Sequence, residues 1–156
     1  LSGTTPGWRS RSATAADLGL LYDGELDYIR EREPEHEAAW LGAVDRNRAL
    51  WAANLARTTV LEVDDAAAGY AMWALIDGVP TVVTLHVRPA LRRHGLGRVL
   101  LDLLTDDVVR SGHGVLALGV HRDNPARRLY ASAGFTAAGA DGDHLLLHRA
   151  LPPAVS

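Results

Sequence analysis

The chain has 156 residues, 47% of them apolar and 22% charged, with a formal charge of -3. That length suits one domain, 1–156, with its own hydrophobic core, and no apolar run reaches the length of a membrane span. The acidic lean argues against a nucleic-acid partner, and the absence of cysteine excludes disulfides, thiolate catalysis and Cys-based zinc sites, which fits a cytoplasmic protein. Every basic residue of the Lys+Arg count is Arg, read as the compositional bias of a bacterial genome; the chain cannot modify lysines of its own. It begins at Leu1 with small polar residues, as a processed or trimmed end would, and shows no signal peptide.

In chain order, 8–12 reads as a first strand, and Thr14 can cap a helix that carries Leu18, Leu21 and Tyr22 on one face. The stretch 23–37 is acidic, with Asp23, Glu25, Asp27, Glu31, Glu33, Glu35 and Glu37 against Arg30 and Arg32. Two readings stand: a solvated helix face and loop, or a field that attracts a cationic amine. A second helix is expected over 34–56, burying Trp40, Leu41, Val44, Trp51 and Leu55.

A strand over 58–63, a turn over 64–67 and a strand over 69–76 form a hairpin, and Asp77-Gly78 turns the chain into a third strand, 79–87. A helix over 97–110, a strand over 115–120, a short helix capped by Asn124 and ended by Gly134, and strands over 136–138 and 143–151 complete the chain. This is an α/β (α+β) arrangement: a central mixed sheet flanked by about four helices.

The stretch Leu85-His86-Val87-Arg88-Pro89-Ala90-Leu91-Arg92-Arg93-His94-Gly95-Leu96-Gly97-Arg98 turns a strand into a helix through two glycines. A helix start presents unpaired N–H groups and the positive end of its dipole, a ready site for phosphate, and Arg92, Arg93 and Arg98 surround it with guanidinium groups. A P-loop would need a Lys, and a dinucleotide fingerprint three spaced glycines early in the chain; neither fits. The ligand expected is a pyrophosphate.

With its Arg-x-x-Gly-x-Gly at 92–97, and with Asn124-Pro125-Ala126-Arg127-Arg128-Leu129-Tyr130 leading into Gly134-Phe135, the chain resembles the GNAT superfamily of acyl-CoA N-acyltransferases over 82–135. The second run is similar to that family's signature of an Asn and an Ala followed by Tyr-x-x-x-Gly-Phe. The resemblance implies that Arg92, Arg93, His94, Gly95, Leu96, Gly97 and Arg98 hold the pyrophosphate of coenzyme A, with Arg127 counted beside them. It also implies that Asn124 and the backbones of Leu85 and Val87 meet the pantetheine, and that Tyr130 protonates the departing thiolate. Amine attack on a thioester expels a thiolate that gains from such a donor, although a lone Tyr in an amphipathic helix is ordinarily a packing residue.

The resemblance supplies no direct base, because Gly119, Thr81 and Val83 stand where relatives carry Glu or His. Candidates by proximity are His86 and His121, or a water chain ending at an acidic residue. His36, His94, His113, His144 and His148 share no metal-ligand spacing, so no metal is expected, and Trp73 reads as core or as pocket lining. The function implied is direct transfer of acetyl from acetyl-CoA to a primary amine of a cationic small molecule, such as an aminoglycoside-like antibiotic, a polyamine or an amino-acid derivative. The alternatives are a protein acceptor, at an N-terminus or a lysine, and a non-catalytic acyl-CoA-binding or partner-binding module. Neither a membrane nor a nucleic acid is expected as partner, and a homodimer is the state the resemblance suggests.

Overall fold

A computed structural model describes residues 5–154. Seven strands form one sheet in the order β1-β2-β3-β4-β5-β7-β6, where β1 is Arg9–Ser12, β2 Thr58–Val63, β3 Ala66–Ile76, β4 Val79–Val87, β5 Val115–His121, β6 Thr136–Asp141 and β7 His144–Ala150. Every neighbouring pair is antiparallel except β4 and β5, which run parallel. Five α-helices cover it: α1 Leu18–Arg32, α2 Glu37–Gly42, α3 Val44–Ala53, α4 Leu96–Arg110 and α5 Arg127–Ser132. The expected mixed α/β sheet is what the chain forms. Among the described residues no helix is long and apolar enough to cross a membrane.

The turns explain the hairpins. Asp64 and Asp65 both take positive φ (53° and 63°), and so do Asp77 and Gly78 (50° and 79°), the pattern of two-residue turns whose twist matches the flanking strands. The first turn is tighter than the four residues expected of it, so β3 starts at Ala66 rather than at residue 69.

The middle of the sheet is covered on both faces, while the edge strands β1 and β6 stay exposed. On one face α4 lays Leu96, Leu100, Leu101, Leu104 and Val108 against Trp73, Leu116 and Leu118, a stripe at helical spacing. Trp73 belongs to this core, its indole N–H donating to the Asp107 carboxylate at 2.7 Å. On the other face Leu21 of α1 and Trp51 of α3 pack with Val60, Tyr70 and Met72.

Three expectations need correction. The run 34–56 is not one helix: a 3-10 turn, Pro34–His36, precedes α2, and the chain breaks at Gly42 and Ala43 before α3. Gly42 is the weakest helix former in the interior of that run, and the break lets Trp40 pack on Tyr22 (ring centroids 5.3 Å apart) while Trp51 enters the core and Leu41 stays exposed. Asn124 does not cap α5, which starts at Arg127; its carboxamide oxygen instead accepts the Ala126 N–H at 2.9 Å in the turn before the helix. The last hairpin turns over Gly142 and Asp143, so β6 runs on to Asp141 and β7 begins at His144.

One glycine fixes how α1 sits. A Cβ on Gly24 would lie 2.2 Å from the Tyr70 hydroxyl, so the helix approaches the sheet this closely only where a side chain is missing. Gly24→Ala should therefore destabilise the fold by about 2 kcal/mol through overpacking, read as a lower urea midpoint at unchanged slope.

Candidate active site

The parallel pair is short. β4 and β5 are joined only at Thr81 with Ala117 and Val82 with Leu118, after which the strands diverge. A wedge thus opens between residues 83–87 of β4 and 119–121 of β5, at the carboxyl ends of two parallel strands, where open α/β sheets bind ligands. Two cavities meet there. A cavity of about 210 Å³ lies on the side of α1, and a groove of about 450 Å³ runs out over the glycine turn; Tyr28, Leu85, His86, Asn124 and Tyr130 line both.

The groove gathers most of the residues expected around the glycine turn. Gly95 takes φ 81° as N-cap of α4, leaving the first N–H groups of that helix facing outward. Leu85, Val87, Arg92, Arg93, Gly95, Leu96, Gly97, Arg98 and Asn124 all line the groove. Two expected residues do not: His94 is absent from the lining, and Arg127 turns to a neighbouring cavity, donating to the Arg122 carbonyl at 2.6 Å. Arg92 is partly occupied, bound to the Val87 carbonyl (3.0 Å) and to Glu31 of α1 (2.7 Å). Arg98 pairs with Asp102 at 3.1 Å one turn along α4.

The smaller cavity holds the titratable groups. Tyr130 of α5 is buried, and burial, followed by the charge of Glu25, pushes its phenol up to about 12, so it carries a proton at neutral pH. Facing it from α1 is Glu25, whose carboxylate accepts the Tyr70 hydroxyl at 2.8 Å and the Thr84 hydroxyl at 2.9 Å. Burial raises the Glu25 pKa above the ordinary carboxylate range, and those two donors only partly offset it.

His86 and His121 also line this cavity. His86 is buried against the Tyr70 ring, and burial and then Arg92 hold its pKa below the usual histidine value. Nδ1 of His121 accepts the Asp123 N–H at 3.2 Å, so that ring nitrogen is engaged by the turn that follows β5. Glu33, buried just beyond α1, accepts the Tyr28 hydroxyl (2.7 Å) and faces the ring of His36 (3.0 Å). Burial would raise Glu33, but Tyr28, His36, His144 and His121 together outweigh it and hold its pKa low.

The acidic stretch is thus not simply a solvated face. Glu25 and Glu33 turn inward, and with Tyr28 and His144 they are cavity residues that the sequence reading did not single out. A signal existed for two of them: Leu21, Gly24, Glu25 and Tyr28 recur at helical spacing on the face that Leu21 buries. Among the described residues no group of three or more His, Asp and Glu is placed to hold a metal ion.

Comparison with known proteins follows the same line. The model of the Acetyltransferase (GNAT) family matches residues 22–135. Over 83 residues the chain is 39% identical to the L-methionine sulfoximine/L-methionine sulfone acetyltransferase of Salmonella typhimurium, covering 49% of this chain and 48% of that protein. Over 79 residues it is 37% identical to the ribosomal protein bS18-alanine N-acetyltransferase of the same organism, covering 50% and 53%. The chain therefore spans about half the length of the curated relatives it matches. In fold it is similar to the crystal structure of PaiA N-acetyltransferase from Thermoplasma acidophilum in complex with coenzyme A, with a TM-score of 0.78 at 17% identity over 92% of this chain and 99% of that one.

The raised Glu25 pKa has a consequence for stability. A carboxyl whose folded pKa exceeds its unfolded one binds more protons in the native state, so its cost is absent below the unfolded pKa and grows as pH rises towards the folded value. Glu25→Gln, which keeps an oxygen for Tyr70 and Thr84, should raise stability at pH 8 and leave it nearly unchanged at pH 4, as read by urea unfolding at the two pH values.

Proposed function

The chain belongs to the Acetyltransferase (GNAT) family, and from that premise we propose that it transfers acetyl from acetyl-CoA directly to a primary amine of a cationic small molecule. In this reading the chain is a single transferase domain. The observation that carries it is the pairing of Glu25 with Tyr130 across one cavity: a carboxylate raised towards neutrality opposite a phenol that keeps its proton. The groove over the glycine turn suits the pyrophosphate, with Arg93, Arg98 and the first N–H groups of α4 as its contacts.

The acceptor's chemistry follows from the lining. Glu25 and Glu33 contribute carboxylates, while no arginine lines the smaller cavity. That favours an ammonium without a carboxylate beside it, such as an amino sugar or a polyamine, over a free α-amino acid. A protein acceptor is the second reading, favoured by the match to a relative named for acetylating a ribosomal protein's alanine.

Glu25 takes a proton from the ammonium, and the freed amine attacks the thioester carbonyl carbon. The C–N bond forms as the C–S bond breaks, and the Tyr130 phenol gives its proton to the departing sulfur. The excess proton on the amide nitrogen then restores Tyr130, and Glu25 returns its own to solvent, one proton being released per turnover. With no cysteine in the chain, no cysteine acyl-enzyme intervenes.

The test is release of CoA thiol from acetyl-CoA across a panel of amines, amino acids and peptides. A cationic small amine should be turned over, and Tyr130→Phe and Glu25→Gln should each lower kcat about a hundredfold. The Glu25→Gln deficit should shrink as pH rises towards the amine's own pKa, where bulk solvent supplies free amine; the Tyr130→Phe deficit should not. Turnover confined to peptides would move the protein-acceptor reading ahead, and CoA binding without any turnover would favour a binding module.

A further inference from the structure

Resting on that reading of Tyr130, we propose that Tyr28 and Glu33 are positioning residues: a hydrogen-bonded strut from α1 to Asn124 sets the turn that launches the helix carrying Tyr130. The strut joins residues far apart in the chain. Tyr28 lies on α1 and Glu33 just past its end, and the Asn124 carboxamide N–H donates to the Tyr28 hydroxyl at 3.2 Å across 96 positions.

The bonds form a directed chain. Glu33 can only accept, so the one proton of the Tyr28 hydroxyl goes to Glu33, and the hydroxyl oxygen must accept from its other neighbour. That neighbour is the NH₂ of Asn124, whose other end, the carboxamide oxygen, accepts the Ala126 N–H at 2.9 Å. Only one orientation of the Asn124 side chain satisfies both bonds. The same turn is closed by the backbone bonds Asn124 N–H to His121 O (2.9 Å) and Arg127 N–H to Asn124 O (3.1 Å), and the Tyr130 N–H donates to Ala126 O at 3.0 Å. The charge of Glu33, just past the end of α1, is thereby linked, through the side chains of Tyr28 and Asn124 and one turn of helix, to the backbone of Tyr130.

Place in the fold gives this linkage its meaning. Tyr28, Asn124 and Tyr130 line both the smaller cavity and the groove, so the strut stands on the partition between the two proposed substrates. Glu33 is fixed from behind by His36 at 3.0 Å, with His144 at 3.7 Å. Burial also raises the Tyr28 pKa, with Glu33 adding to it, so the hydroxyl keeps the proton that the chain of bonds requires.

A double-mutant cycle on the full chain decides the matter, with thiol release measured on the amine that is turned over. Tyr28→Phe should lower kcat about tenfold, the loss of one good hydrogen bond, while KM for that amine changes less than about twofold. In a Tyr130→Phe background it should have no further effect, because nothing remains for the strut to position. Equal factors in the two backgrounds overturn the inference and leave Tyr130 as the acid; a Tyr130→Phe enzyme as fast as the native chain overturns both.

Glu33→Gln, whose carboxamide oxygen can still accept the Tyr28 hydroxyl, should keep most of kcat, while Glu33→Ala falls to the level of Tyr28→Phe. Equal loss in both counts against the strut. If no amine is turned over, the reading of the site fails, and CoA affinity then decides for the strut: a Kd weakened about threefold in Tyr28→Phe supports it, and an unchanged Kd overturns it.

Discussion

The parting of β4 from β5 is the constraint on which the rest of the structure depends. Two residues of parallel pairing hold the strands together, and beyond them each edge offers backbone groups to something other than its neighbour. The sheet survives the gap because both strands are secured on their outer sides, β4 by a long antiparallel register with β3 and β5 by the full length of β7. The helix that crosses between them, α4, starts at the open end and so aims its N-terminus at the wedge. One topological step thus creates the cleft and aims a helix N-terminus into it.

The second requirement is a carboxylate held where water is scarce. Glu25 is kept there by Tyr70 and Thr84, and Tyr70 reaches it only because position 24 carries no side chain. Burying an acid in this way costs stability, and two neutral hydroxyl donors recover less than an arginine would. An arginine partner, however, would hold the carboxylate's pKa down and compete with an incoming ammonium. The choice of hydroxyl partners is intelligible if the group has to exchange a proton, as functional sites commonly sacrifice stability for reactivity.

Much of this was legible in the sequence wherever the signal was local. The glycine turn, the Asp-Gly hairpin, the α4 stripe and the run ending in Tyr130, Gly134 and Phe135 all lie within short windows, and their elements formed as expected. What was illegible depended on which face of α1 meets the sheet. Glu25 and Glu33 look like their exposed neighbours Asp23 and Glu35 until Leu21 and Gly24 fix the rotation of the helix. The break at Gly42 was hidden for a similar reason, since Trp40 and Trp51 fit one helical stripe in sequence but pack against different partners. The bond between Tyr28 and Asn124 has no local trace at all.

Charge is sorted across the wedge, and the sorting has a chemical logic. Guanidinium groups gather over the glycine turn while carboxylates gather in the smaller cavity, so an anionic and a cationic substrate would each meet the opposite sign. The boundary is an ion pair, Arg92 with Glu31 at 2.7 Å, which ties the glycine turn to α1 and takes one arginine out of the anion site. The pair joins α1, which carries Glu25, to the turn that carries Arg92 and Arg93. A chain whose cations are all guanidinium also presents no side-chain amine of its own to the thioester. An arginine at an anion site cannot itself become a competing acceptor, as a lysine in the same place would.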